Sequence, residues 1–158
     1  MGTIDIYPCL SKVVQLFQTR HHYQTHQFSL DIPGNLPSLM SDPFSLERII
    51  IELLTNACKF TPSGSSIHIT AQSLSDCIQF QFKNFGVEIP PVELPKIFEK
   101  FYRIPSNDPW RQGGTGLGLA LVHKVVSYLG GKISVASQNN CTCFIFALTL
   151  MPDEKLKS

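Results

Sequence analysis

Glu52, Asn56 and Lys59 are residues whose types and spacing suggest chemistry. They fall at i, i+4 and i+7, along one stripe of a helix. A carboxylate, an amide and an amine in register offer hard oxygen donors to Mg²⁺ and an ammonium to phosphate. The same stripe suits a solvated polar face, and spacing alone leaves both readings open. A second group is Gly113–Gly114–Thr115–Gly116–Leu117–Gly118–Leu119, with four glycines in six positions running into a helix start. Glycines let the backbone approach a ligand, and free N–H groups at a helix N-terminus attract anions. The G-x-x-x-x-G-K-[ST] phosphate loop is absent, and the alternative is a plain flexible loop before a helix. A third group, Asn84–Phe85–Gly86–Val87–Glu88–Ile89–Pro90, leaves the end of a strand. A fourth, Ile97–Phe98–Glu99–Lys100–Phe101–Tyr102–Arg103, sets three aromatic rings before a polar stretch. Those rings suit the anchor of a mobile lid or a core cluster.

The elements that must position these groups follow from periodicity. Thr3 to Ile6 alternates, and Pro8 opens a helical stretch with the stripe Leu10, Val13, Val14 and Phe17, read as a helix to about His26. Gln27 to Ile32 alternates as a strand closed by Pro33–Gly34–Asn35. Asp42–Pro43 starts a helix with a carboxylate cap and a first-turn proline, and the helix runs to Phe60. Its apolar face is Leu46, Ile49 or Ile50, Leu53, Ala57 and Phe60. Ile67 to Gln72 and Ile78 to Lys83 read as strands, Pro90 to Phe98 as a short helix, and Tyr102 to Gly114 as a loop. Thr115 to Leu129 reads as a helix ended by Gly130–Gly131, and Ile133 to Ser137 with Cys143 to Leu150 as a last hairpin. Strand pairs closed by hairpins rather than helical crossovers predict an α+β two-layer sandwich, a mixed sheet with helices on one face. The missing G-x-G-x-x-G after the first strand makes a Rossmann reading poor.

Composition bounds the rest. The chain has 158 residues, 43% hydrophobic and 16% charged, which suits one packed domain and argues against disorder. We read that domain as residues 1–152 and the charged stretch 153–158 as a loose tail. A net charge of +1 offers no basic field for nucleic acid. Five cysteines without paired spacing read as reduced thiols, which places the chain in the cytoplasm. Cys141 and Cys143 share a strand face rather than forming a C-x-x-C clip. No apolar run reaches the ~18 residues of a membrane span, and Met1 opens no signal-peptide pattern.

Taken in order, "ELLTNACKFTP", "NFGVEIP", "IFEKFYR" and "GGTGLGLALV" resemble the ATP-binding catalytic domain of sensor histidine kinases, in the gyrase–chaperone–kinase–MutL ATPase superfamily. The wording around the last two motifs looks especially like cyanobacterial multidomain kinases. The resemblance covers about residues 3–150 and implies the Bergerat-type ATP-binding fold, with ATP and Mg²⁺ as ligands. It implies that Asn56 coordinates the Mg²⁺ bridging the phosphates, that Glu52 sits near that metal or its water, and that Lys59 touches phosphate. Asn84 would read the adenine amine, and Gly86 would let the base approach, with Ile89 beside it. Phe98 and Phe101 would hold the lid, with Tyr102 and Arg103 beside the nucleotide. Gly114, Gly116 and Gly118 would contact phosphates through the backbone, adjoined by Thr115, Leu117 and Leu119.

Two positions depart from the family's D-x-G-x-G-I box. Asn84 stands where the family has aspartate, and Glu88 where it has the second glycine. An amide still accepts from the adenine amine, but without charge, and Glu88 adds a charge near the pocket rim. The family's phosphoacceptor is a histidine followed by an acidic residue. His21, His22 and His26 have no acidic neighbour, and His123 lies inside a helix. The resemblance therefore implies a monomeric catalytic fragment whose partners are a dimerisation and phosphoacceptor domain outside this chain and a response regulator downstream. A free-standing serine kinase of the anti-sigma type and a degenerate nucleotide-binding scaffold are the alternatives.

Overall fold

The computed structural model describes residues 2–19, 26–100, 102 and 117–150. The Trp110-bearing loop read as a lid, apart from Tyr102, lies outside the described residues, as does the tail 153–158. The elements run β1 (Gly2–Ile4), α1 (Ile6–Thr19), β2 (Gln27–Asp31), β3 (Leu39–Ser41), α2 (Pro43–Phe60), β4 (Ser66–Leu74) and β5 (Cys77–Phe85). A 3₁₀ turn (Leu94–Lys96), α3 (Gly118–Tyr128), β6 (Lys132–Gln138) and β7 (Cys141–Thr149) follow.

Five strands form one sheet in the order β2-β4-β5-β7-β6, and β1 pairs with β3 beside it. The pairs β4–β5, β5–β7 and β6–β7 are antiparallel, whereas β2 and β4 are parallel. The expectation of hairpins without crossovers is corrected at that point: β2 reaches β4 through β3 and α2, a helical crossover. The mixed sheet and the α+β class stand as expected.

Period-two alternation decides the layers. Ile67, Ile69 and Ala71 on β4, Ile78, Phe80 and Phe82 on β5, and Phe144, Phe146 and Leu148 on β7 are buried in one cluster. Leu10, Val13, Val14 and Phe17 of α1, the apolar stripe of α2, and Val122 and Val126 of α3 join that cluster. The helices therefore cover a single face. The Phe80 and Phe146 rings stack with centroids 4.6 Å apart, and Phe82 lies 6.1 Å from Phe146. The other face carries Gln72, Gln79 and Gln81, which hydrogen-bond one another.

Several boundaries move. His26 is a bend ahead of β2 and no part of α1, and α1 opens at Ile6, before Pro8. β3 is additional; its three residues are too few for a periodicity to show. The helix expected over Pro90 to Phe98 shrinks to the 3₁₀ turn, where Pro95 denies a backbone donor. The sheet strands extend beyond their alternating cores, to Leu74, Phe85 and Cys141. On α2, Leu54 and Cys58 widen the buried face, and Phe60 stays 36% exposed. None of the five cysteines is in a disulfide.

Asp42 caps α2: its Oδ1 accepts from the Phe44 N–H at 3.2 Å and its Oδ2 from the Ser45 hydroxyl at 2.7 Å. The Ser45 hydrogen bond, followed by the Phe44 one, holds the Asp42 carboxyl below the ordinary aspartate value. A lowered carboxyl stabilises the fold above its unfolded pKa, and that stability is lost as pH falls through the folded value. Asp42→Ala is expected to destabilise by about 1 kcal/mol at neutral pH. The gap to wild type should close as pH drops below about 4, read by urea denaturation across pH.

Candidate nucleotide site

Three of the four groups singled out lie on α2, at the end of β5 and at the start of α3, and α2 touches both of the others. Glu52 and Asn56 lie half-buried on α2, with Lys59 exposed in the last turn. Arg48 Nη2 holds Glu52 Oε1 at 2.8 Å, an i, i+4 ion pair in which the Glu52 side chain is 18% exposed. The carboxylate's other oxygen faces the start of α3. A side chain at Gly118 would put its first carbon 2.8 Å from Glu52 Oε2. A larger residue at 118 would oblige the Glu52 side chain to shift. The carboxylate thus lies beside the start of α3, at the positive end of the helix dipole.

The C-terminal end of α2 meets the end of β5. Thr61 closes the helix through its N–H to the Ala57 carbonyl at 2.8 Å. His26 Nε2 donates to the Thr61 carbonyl at 2.9 Å, tying this cap to the start of β2. The following turn, Pro62 to Ser65, packs on Gly86. A Cβ there would stand 3.1 Å from Ser65 Oγ and 3.2 Å from Pro62 Cδ, and Gly86 has φ of 87°. Its glycine is required by conformation and by this turn. Neither reason was visible from the motif, which suggested approach of a base.

Asn84 is the buried polar group of the site. It follows Ile78, Phe80 and Phe82 on the inward face of β5, opposite Ile67 on β4 and Thr142 on β7. The residue is 2% exposed, and its Oδ1 has no hydrogen-bond partner among the described residues. Such an orphan costs roughly 1–3 kcal/mol unless a ligand satisfies it.

The loop that leaves Asn84 is fastened to the tip of the β6–β7 hairpin. Gly86 N–H donates to the Asn140 carbonyl at 2.9 Å, and Ile89 N–H to Ser137 Oγ at 2.7 Å. Thr142 Oγ1 donates to the Val87 carbonyl at 3.0 Å and lies 2.8 Å from Ser137 Oγ. The Glu88 carboxylate accepts from the Asn140 N–H at 2.8 Å. Glu88, expected to add charge near the pocket rim, is exposed, and its carboxylate is engaged by the hairpin turn. Ser137, Asn140 and Thr142 went unread because they lie about fifty residues downstream and belong to no glycine-rich motif.

Phe98 packs between the His123 ring, at 5.6 Å, and the Phe144 ring, at 6.2 Å, which makes it a core anchor. Tyr102 and Ile89 also pack on the core. Leu117 precedes α3 and is 38% exposed, and Leu119 is half-buried. Phe101, Arg103, Gly114, Thr115 and Gly116 lie outside the described residues. Among the described residues no cluster of three or more His, Cys, Asp and Glu could hold a metal ion. No described helix is long and apolar enough to cross a membrane.

Comparison with known proteins shows the family. The profile of the histidine kinase-, DNA gyrase B-, and HSP90-like ATPases matches residues 41–152. The sensor protein VanS of Enterococcus faecium is 35% identical over 150 residues, which cover 95% of this chain and 38% of VanS. The chain thus spans well under half the length of that relative. Full-length ShkA, solved in complex with AMPPNP, superposes with a TM-score of 0.81 at 24% identity, over 96% of this chain and 32% of ShkA. The histidine kinase ThkA, solved with the response regulator TrrA, gives a TM-score of 0.80 at 23% identity, over 97% of this chain and 42% of ThkA. This chain therefore belongs to the histidine kinase-, DNA gyrase B- and HSP90-like ATPase family and is homologous to the sensor histidine kinases.

Proposed function

We propose that this chain binds Mg-ATP between α2, the end of β5 and the start of α3, and donates its γ-phosphoryl group to a histidine on a separate phosphoacceptor domain. The observation that supports this reading is Asn84, whose buried, unpartnered Oδ1 matches the exocyclic amine of adenine. Family membership and the AMPPNP bound by ShkA support it further. In the transfer, the acceptor imidazole nitrogen forms the P–N bond as the bond from the γ-phosphorus to the β,γ-bridging oxygen breaks, leaving ADP. Transfer of this kind rests on positioning and charge rather than on a covalent enzyme intermediate.

The residues divide that work. Asn84 orients the base. Asn56 would hold Mg²⁺ through its amide oxygen, a hard donor that the ion favours, and Glu52 would act on that ion or its water. The ion, when bound, neutralises charge developing on the phosphates. Lys59, exposed at the end of α2, supplies a cation to the phosphates, and the backbone from Gly114 to Leu119 supplies N–H donors. In this reading Glu52, held by Arg48 and the start of α3, is preset before nucleotide arrives. The phosphoacceptor domain lies outside this chain, and a response regulator receives the phosphoryl group next, as the ThkA–TrrA complex suggests by analogy.

Two outcomes test the reading. Asn56→Ala removes an oxygen donor from a half-buried helix face and is expected to abolish Mg²⁺-dependent ATP binding with little change in thermal stability. Calorimetry showing unaltered Mg-ATP affinity would refute that placement. Incubation of the 158-residue chain with γ-labelled ATP is expected to leave no acid-labile label on its own histidines. Phosphohistidine at any of them would overturn the separate acceptor.

A further inference from the structure

The hydrogen bonds around Asn84 bear on which base the site accepts. Val87's carbonyl can only accept, so Thr142 Oγ1 must give its single proton to it. Ser137 Oγ then donates to Thr142 Oγ1 and accepts from the Ile89 N–H. A directed relay results, running from Ile89 N–H through Ser137 and Thr142 to the Val87 carbonyl. Thr142 stands directly across the ladder from Asn84. It is the nearest hydroxyl in register, yet it has no proton left for Asn84 Oδ1. The backbone on either side of the amide is meanwhile pinned, by the β5 ladder before it and by the Gly86–Asn140 and Glu88–Asn140 bonds after it. The site fixes where the amide sits, and no hydrogen bond among the described residues holds its oxygen end.

A carboxamide carries an acceptor and a donor side by side. In one orientation Oδ1 accepts from the adenine 6-amine and Nδ2 donates to N1. Turned by half a rotation, Nδ2 donates to a 6-oxo group and Oδ1 accepts from the N1–H of guanine or hypoxanthine. An aspartate accepts in both places and repels a 6-oxo oxygen. We propose that Asn84 reads the purine 6-position in either sense, so the site takes 6-oxopurine nucleoside triphosphates as well as ATP. The inference rests on the nucleotide-site reading above and adds its base selectivity.

The test measures the affinities of Mg-ATP, Mg-GTP and Mg-ITP for the 158-residue chain by calorimetry. ITP carries the 6-oxo group without the 2-amine and isolates the 6-position. The wild-type affinities are expected to agree within about tenfold, the scale of one hydrogen-bond mismatch. A wider preference for ATP over both GTP and ITP overturns the inference and leaves the nucleotide site standing. Absence of binding by all three overturns the nucleotide-site reading itself. Asn84→Asp is expected to widen the ATP preference by at least about tenfold, since the carboxylate cannot donate to a 6-oxo group. A folded Asn84→Asp with an unchanged ratio overturns the inference. If that variant fails to fold, the wild-type comparison carries the test.

Discussion

Burying Phe80 and Phe82 on one face of β5 obliges Asn84 to face inward as well, because strand side chains alternate with a period of two. The two rings stack around Phe146 at the centre of the sheet, and residues of this size contribute about 1.5–3 kcal/mol each by leaving water. A one-residue slip of β5 against β7 would expose those rings and turn Asn84 to the open face. Core and site therefore share one register. The strand carries its apolar residues where helices cover it and its amide at the end, just before Gly86 turns the chain out of the sheet.

α2 connects that amide to the glycine-rich motif. Its buried stripe, from Leu46 to Cys58, fastens it to the sheet, while Glu52 projects along a second stripe toward α3. The acid is placed by three constraints together: the Arg48 ion pair, the absent side chain of Gly118, and the favourable field at a helix N-terminus. A surface ion pair alone contributes little. The start of α3 adds a close approach to the carboxylate's other oxygen. The C-terminal end of the same helix reaches Gly86 through Pro62 and Ser65. One helix thus spans the distance between the strand end and the α3 start.

The local parts of this arrangement were legible in the sequence. The Asp42–Pro43 helix start, the Glu52–Asn56–Lys59 stripe and the alternation of β4, β5 and β7 are short-range patterns, and the structure carries them. Long-range decisions were not legible. β3 is three residues long and exists because it pairs with β1, a partner nearly forty residues earlier. The parallel pairing of β2 with β4 leaves no local trace. Phe60 fits the helical stripe, yet α2 ends there and the ring meets solvent, because the buried face has rotated toward Cys58 by the last turn. The partner of Glu88 was not legible for the same reason. Its motif placed it beside a ligand, while its partner lies in a turn fifty-two residues away.

That turn explains how a large acid replaces the small residue expected in the box. Asn139 and Asn140 both adopt left-handed backbone, with φ of 53° and 59°, a conformation asparagine tolerates better than most residues. The tight turn directs the Asn140 N–H outward, to the Glu88 carboxylate, and its carbonyl toward the Gly86 N–H. A charge-assisted bond of this kind is stronger than a neutral one. It sits on an exposed carboxylate, which avoids the desolvation a pocket-facing acid would suffer. The backbone freedom that a glycine at residue 88 would give is replaced by a tether. Because that tether acts on the chain four residues beyond Asn84, it restrains the loop without engaging the amide, whose Oδ1 stays without a partner among the described residues.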